Sequence, residues 1–546
     1  MKSSNSQTII NMKNLSIFVL ALLLCLPVMA QRQLAFPGAE GFGKYTTGGR
    51  GGKVYYVTRN YDCTDNNLVE GTLRWALRSG DATPRTVLFK TCGTIYLTSR
   101  LSLAYPNVTI DGSTAPGGGV CIAGHKFSVS KPNVIIRYMR FRAGDVPDKS
   151  YPAVDVENTR NVIIDHCSIT WSMEECLTMY DCDSTTVQWS ILGEALYDSK
   201  NSKGVRAYAT QWGGEHSTMH HCLITNSNSR SPRFNGVRNG SKKRGDHDQF
   251  VDSEFFNNVV FNWGKPNSLY GGECCMTINN GNSYNRVYMV NNYFRPGPAT
   301  ALNASSKRFF IEATSKDGQG QWMLKGNKFE ENNKFVDASN SCWNAETLKK
   351  VNADNWYGFT SNSVDRAVNM VLGNDEASFG KYALKSQEVS SGMSLQTADE
   401  AYDAVVERAG ASLPAYDEVD RRLLDEAAGK RDPQFAGYTD GKMSRGLGII
   451  NSPSDVKLSK NDVFKVGDKT VTCYPYLGEC GREKVILDSD GDGLPDKYEV
   501  EKGLNPHDPA DGSVITATGY SNLELFLHGI ADGSLRKADY ETALAE

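Results

Sequence analysis

The chain has 546 residues and a formal net charge of −4, enough for a large core and more than one domain. That near-neutral balance excludes nucleic acid as the main partner, because phosphate binding needs a basic surface. Its 51 glycines, with many Asn and Asp, point to turn-rich architecture rather than helix bundles.

Residues 1–30 read as an export signal. Lys13 precedes the apolar run Ile17 to Leu26, then Pro27, and Val28-Met29-Ala30 offers a small-residue cleavage site. The run is shorter than the ~20 residues that span a bilayer, so the mature chain is expected to lack a membrane span. Cys25 lacks the small residues that usually precede a lipoprotein cleavage site, and it leaves with the signal. None of the other cysteines forms a CxxC zinc pattern, and Cys274-Cys275 cannot easily bridge each other. Cys167, Cys176 and Cys222 lie within apolar strands and read as small buried hydrophobes.

From about residue 100 to 330 one unit recurs: a short β-branched strand, then Asn-rich turn residues, then another strand. Pro106-Asn-Val-Thr-Ile-Asp111, Pro132-Asn-Val-Ile-Ile-Arg137 and Arg160-Asn-Val-Ile-Ile-Asp165 show it most clearly. Their valines, Val108, Val134 and Val162, recur at a period in the twenties, with Val187 next. Strands at that period without intervening helices predict a solenoid of parallel strands. Stacked Asn side chains at the turns fit it; an antiparallel sandwich is the alternative. Thr397-Ala-Asp-Glu400 is a capping box that opens a helix ending near Gly410, and Pro414 opens a second helical stretch ending near Gly429. Residues 335–395 and 435–480 read as loops and short strands.

Near the C-terminus, Asp488-Ser-Asp490-Gly-Asp492-Gly-Leu494-Pro-Asp496-Lys-Tyr-Glu499 sets carboxylates at positions 1, 3, 5, 9 and 12 of a loop, with Gly at 6. That spacing wraps oxygens around Ca²⁺, with the Leu494 carbonyl and a bidentate Glu499 completing the shell. The module reads as structural, since it offers no base beside a substrate cleft.

Several separate motifs then resemble, in order, those of family 1 polysaccharide lyases, the pectate and pectin lyases. They are Phe36-Pro-Gly-Ala-Glu-Gly-Phe-Gly43, Thr46-Thr-Gly-Gly-Arg-Gly-Gly-Lys-Val54, Gly71-Thr-Leu-Arg-Trp-Ala-Leu77, Gly93-Thr-Ile-Tyr96, Asn161-Val-Ile-Ile-Asp-His166 and Arg230-Ser-Pro-Arg233. The resemblance covers roughly residues 35–330. It implies an all-β, right-handed parallel β-helix with a pectate-binding cleft along one sheet, and Ca²⁺ bridging substrate uronates to protein. The expected organisation is a signal at 1–30, the β-helix lyase domain at 31–395, a helical and loop segment at 396–480, and a calcium-binding module at 481–546. The expected product is a secreted monomer acting on polygalacturonate.

β-Elimination removes the C5 proton beside a uronate carboxylate and expels the O4 oxygen. The site must neutralise that carboxylate and supply a base. By resemblance Arg230 is the base, while Arg233 and Lys203 bind substrate carboxylates, a task that suits the guanidinium fork. The family's last motif Arg falls at Asn235, with Arg238 close by. For the catalytic calcium the resemblance implies Glu174-Glu175. The leading family aspartate falls near Ser150 to Pro152, which are not acids, and Asp155, between Val154 and Val156, is the nearest outward-facing carboxylate. A second family acid falls at Met179, with Asp181 close by. Asp165 and His166 read as structural hydrogen-bonding residues near the cleft. Competing readings are a calcium-free pectin lyase, marked by cleft aromatics such as Trp171, and a non-catalytic glycan-binding β-helix. A hydrolase would need paired Asp residues, and no clear cluster appears.

Overall fold

A computed structural model describes residues 32–542, apart from 147–148, 236–249, 266–267, 273–283, 303–310, 314–319, 340–343, 362–382, 458–460, 467–468 and 476–483. The signal segment at 1–30, Arg238 and the Cys274-Cys275 pair lie outside the described residues.

Twenty-eight strands form three parallel sheets, of ten, nine and nine strands. The chain visits the sheets in rotation, and each strand pairs with the strand one turn later, giving a right-handed parallel β-helix. Successive side chains alternate between the interior and the outside. On the first sheet Ile110, Ile136, Ile164, Val187, Met219, Phe255, Met289 and Leu324 are lateral neighbours and line the core. Val108, Val134 and Val162 stack as their spacing suggests. The next partner of Val162 is Thr185, however, while Val187 pairs with Ile164. The phase slips by two residues there because turn lengths vary between repeats.

The turns are built from stacked amides. Asn258, Asn292, Asn327 and Asn355 form a buried ladder, with Nδ2 of Asn292 donating to Oδ1 of Asn327 at 2.8 Å and Nδ2 of Asn258 donating to Oδ1 of Asn292 at 3.1 Å. Each amide satisfies a turn backbone group that would otherwise be buried unpaired.

Both ends of the solenoid would expose core, and both are closed by helices. Leu73–Arg78 buries Leu73, Ala76 and Leu77 at one end. Ala345–Ala353, capped by Asn344, buries Leu348 and Val351 at the other. This second helix falls in a stretch whose sequence reads as loop.

Two of the three outer faces are covered. Helices Ala398–Arg408 and Glu418–Ala427 pack Val405, Val419, Leu423 and Leu424 against Ile191, Leu223 and Val259 of the second sheet. The capping box at Thr397 and Glu400 is present. A buried ion network fastens this layer: Arg142 to Asp417 at 2.6 Å, and Arg422 to Glu194 at 2.6 Å. The first sheet is covered by the N-terminal strap, residues 35–52, and by the C-terminal module. The strap follows the outward row Thr109, Ile135, Ile163, Thr186 and Thr218, with the Gly43 amide donating to Thr186 Oγ1 at 2.9 Å and the Gly49 amide to Thr109 Oγ1 at 2.9 Å. A Cβ on Gly49 would stand 2.1 Å from the Arg85 carbonyl oxygen, so backbone must approach the sheet directly there. The glycine-rich opening motif is thus a packing device.

Candidate functional site

The third sheet carries the sequence-identified site. Ser128, Asp155, Thr178, Gln211, Arg233 and Tyr270 are successive lateral partners on it. Val154, Val156, Leu177 and Phe234 beside them point into the core, which turns this polar row outward. From Asp155 to Tyr270 is four strand steps of roughly 4.8 Å, so the row is long enough for several units of an extended polymer.

Arg230 sits at the turn between the second-sheet strand Leu223–Thr225 and Arg233–Phe234. Its φ is 58°, a left-handed conformation costly for a non-glycine residue, and it aims the side chain onto the row. The guanidinium pairs with Glu175 through Nη1, donates from Nε to the Tyr270 hydroxyl at 3.2 Å, and lies 4.2 Å from the ring centre of Tyr208. Burial pulls its pKa down, but the Glu175 charge and the Tyr270 hydroxyl outweigh that, leaving it above the ordinary arginine value. Arg233 lies over the Tyr270 ring at 5.5 Å. Lys203 is largely exposed, with Nζ 3.2 Å from Glu174, which also meets Arg206 at 3.5 Å.

The sequence reading missed Tyr208, Tyr270, Arg206 and Lys126. Tyr208 pairs laterally with Glu175, and Tyr270 with Arg233, so their membership comes from register across repeats and leaves no local signature.

Asp155, Glu174 and Glu175 are hard oxygen donors of the kind that suits Ca²⁺. Each also carries a cation from the chain: Lys126 on Asp155 at 2.5 Å, Lys203 and Arg206 on Glu174, and Arg230 on Glu175. Asp181 is buried at the end of its strand. Asp165 and His166 lie on the first sheet, not on the cleft row. Asp165 is buried and accepts from Arg137, Gln188 and His166; burial raises its pKa, but the His166 and Arg137 charges hold it well below the usual carboxylate range. They line a cavity of about 760 Å³ with Tyr138, Trp189 and Arg408. The rings of Tyr138, His166, Trp189 and His221 stack on one another there, so their faces are spent internally. Trp171 is buried under the helices, with Nε1 donating to Glu194 at 2.9 Å, far from any role as a cleft aromatic.

The C-terminal loop brings a second set of acids together. Asp488, Asp490 and Asp492 each place an oxygen within 4.8 Å of one another, and so do Asp492, Glu499 and Asp511. Asp511 lies outside the loop motif. Asp496 accepts from the Ser489 amide at 2.7 Å and the Ser489 hydroxyl at 2.6 Å. Leu494 donates its amide to Asp492 at 2.9 Å and buries its side chain against Leu88. Burial and the neighbouring carboxylates raise Glu499 to about 8 and Asp492 to about 7. Among the described residues these are the acids close enough to share one ion.

No family model matches the chain. The probable pectate lyase C of Emericella nidulans is 29% identical over 500 residues, covering 91% of this chain and 93% of that protein. The chain is similar to pectate lyases along nine-tenths of its length. The Aspergillus terreus probable pectate lyase C is 28% identical over 508 residues, covering 92% of this chain and 95% of its own. Among solved structures, pectate lyase Bsp165PelA from Bacillus sp. N165 in complex with trigalacturonate is 16% identical, covers 68% of this chain and 98% of its own, and gives a TM-score of 0.40. The likeness to the curated pectate lyases supports a polysaccharide lyase.

Proposed function

We propose that the chain is an exported pectate lyase that cuts polygalacturonate by calcium-assisted β-elimination, with residues 31–395 as the lyase domain and 481–546 as an appended calcium module. The observation that carries this reading is the grouping of Arg230, Glu175, Tyr208, Tyr270 and Arg233 along one face of the third sheet. Five basic side chains, Lys126, Lys203, Arg206, Arg230 and Arg233, face three acids, Asp155, Glu174 and Glu175. That surplus attracts a polyuronate.

Glu174 and Glu175 would offer carboxylates to a calcium ion shared with the substrate, which would offset the uronate carboxylate and make the C5 hydrogen more acidic. Asp155 pairs with Thr178, three residues along the strand from Glu175, and does not join them in one ion site among the described residues. Arg233 offers two parallel N–H donors to a substrate carboxylate. Once separated from Glu175 and having given one proton to solvent at alkaline pH, Arg230 is a neutral base that takes the C5 proton. The C5–H electron pair forms the C4=C5 double bond as the C4–O4 bond breaks, and the departing oxygen takes a proton from solvent. In the resting arrangement Glu175 keeps Arg230 protonated, so their pairing must open before Arg230 can act as a base. The positive charge of Lys203 and Arg206 nearby then disfavours its reprotonation. Tyr208 and Tyr270 hold the guanidinium plane in place meanwhile.

Trp171 is buried away from the cleft, and the cleft aromatics Tyr208 and Tyr270 stand beside Glu174 and Glu175 rather than in place of acids, which favours the calcium-dependent reading over the pectin lyase. Export rests on the sequence of residues 1–30, and no described helix is long and apolar enough to cross a membrane. The decisive experiment follows ultraviolet absorbance of the unsaturated product on polygalacturonate, with calcium and with EDTA. Calcium-dependent growth of that band is expected. Saturated reducing ends without the chromophore would replace the proposal with hydrolysis.

A further inference from the structure

We propose that the C-terminal acids form a calcium clasp that fastens the end of the chain onto the first turns of the solenoid, with Asp511 as a ligand from outside the loop. Glu499 is fully buried, and neither of its carboxylate oxygens has a hydrogen-bond partner; Asp490 Oδ2 and Asp511 Oδ1 are unpartnered too. A buried carboxylate with nothing to bond is strongly disfavoured, and the neighbouring carboxylates of Asp488, Asp490, Asp492 and Asp511 add like-charge repulsion. A divalent cation resolves both problems, and all the donors are hard oxygens, which selects Ca²⁺ over softer metals. The chain prepares Asp511 for this: its Oδ2 accepts the Asn505 amide at 2.9 Å while Oδ1 is left for the ion. Gly512, in the same turn, donates to Asp492 Oδ2 at 2.6 Å, which locks that turn to the loop.

The cluster is tied to the opposite end of the sequence. The Tyr56 hydroxyl, on the first strand Lys53–Val57, bonds Asp488. Leu494, Leu523 and Phe526 pack on Leu88, Val54 and Tyr56, the outward side chains of the first two strands of the first sheet. Arg50 pairs with Glu524 at 2.9 Å. The first of these strands ends the sheet and has one neighbour fewer than interior strands, so its order depends on what covers it. Ion occupancy therefore sets the stability of the first turns, some 430 residues away in sequence from the loop, as the Tyr56–Asp488 separation of 432 records.

The test uses the full mature protein, stripped with a chelator and then supplied with calcium chloride, read by calorimetry and hydrogen exchange. Calcium is expected to raise Tm by roughly 3 °C or more and to slow amide exchange in Lys53–Val57 as well as in the loop. Glu499→Gln and Asp511→Asn should each remove most of that rise, while Glu175→Gln in the cleft should retain it. This separates the clasp from the catalytic ion and from the fate of the lyase proposal. Tyr56→Phe should keep calcium binding to the loop but weaken the protection of the first strand. An unchanged Tm in the unmodified protein, a rise that survives Asp511→Asn, or protection confined to residues 488–542 would overturn the proposal.

Discussion

The cleft and the C-terminal loop both gather carboxylates, but they neutralise them in opposite ways. In the cleft each acid already holds a lysine or arginine of the chain. In the loop, oxygens of Glu499, Asp490 and Asp511 are left without partners. A site whose charge is balanced internally tolerates an exchangeable ion and substrate, because its side chains have somewhere to return. A site without such partners needs its ion to be a folded structure at all. On the proposed reading the first serves turnover and the second stability, and four measurements can break that division.

The largest effect is expected at Arg230. Arg230→Ala and Arg230→Lys should each lower kcat by about 10³-fold or more while KM moves far less, since the interaction belongs to the transition state. Initial rates of ultraviolet absorbance growth on polygalacturonate decide it, and near-normal kcat would move attention to Lys203. Next, Asp490→Ala combined with Asp492→Ala should lower Tm in calcium by roughly 5 °C and leave turnover of the folded enzyme nearly intact. Collapse of turnover without loss of stability would merge the two regions into one site. Arg233→Ala should raise KM about tenfold, roughly 1.4 kcal/mol of lost carboxylate binding, with kcat nearly unchanged.

The smallest effect calibrates the others, at a half-buried pair away from both acid clusters. His216 bonds Asp183 at 2.7 Å on the first sheet. The hydrogen bond from Asp183 raises the histidine above its ordinary value; burial raises Asp183, but the bond and charge of His216 outweigh that and lower it. A raised histidine gives stability that is present below its unfolded pKa and lost as pH rises through the folded one. A lowered aspartate gives stability lost as pH falls through its folded pKa. The pair therefore acts in the mildly acidic range between them and fades toward pH 9. Because His216 is 42% exposed, His216→Gln should cost under about 0.5 kcal/mol at pH 5 and less at pH 9, from urea midpoints. An equal cost at both pH values would mean that packing, not charge, holds the pair.

Much of this architecture was legible in the sequence because solenoid repeats write their period locally. Val108, Val134 and Val162 announced the first sheet, and the capping box at Thr397 announced the flanking helix. The phase slip at Val187 was not legible, since turn length is decided by contacts between turns rather than within one. Helix Ala345–Ala353 was missed because its two buried residues, Leu348 and Val351, make too narrow an apolar stripe to stand out. In the cleft the motif residues Arg230 and Arg233 could be read, as could Glu174-Glu175. Their partners could not: Arg230 meets Tyr270 forty positions on. The approach of Asp511 to Asp492 and Glu499 was not legible for the same reason, since the turn that returns it to the loop carries no local signature.

The N-terminal strap has a kinetic consequence. Its amides at Phe42 and Gly43 bond Thr218 and Thr186, 176 and 143 positions later in the chain. The Phe42–Gly43 end of the strap thus has no surface to dock on until five or more turns of the solenoid exist, whereas Gly49 rests on Thr109 of an early turn. Closing so long a loop is slow, so assembly nucleates among neighbouring turns and the strap arrives afterwards. Contacts made that late are absent from the rate-limiting step of folding and act mainly against unfolding. The glycines that let the strap lie flat on the sheet therefore govern how long the enzyme survives, and have little influence on how fast it forms.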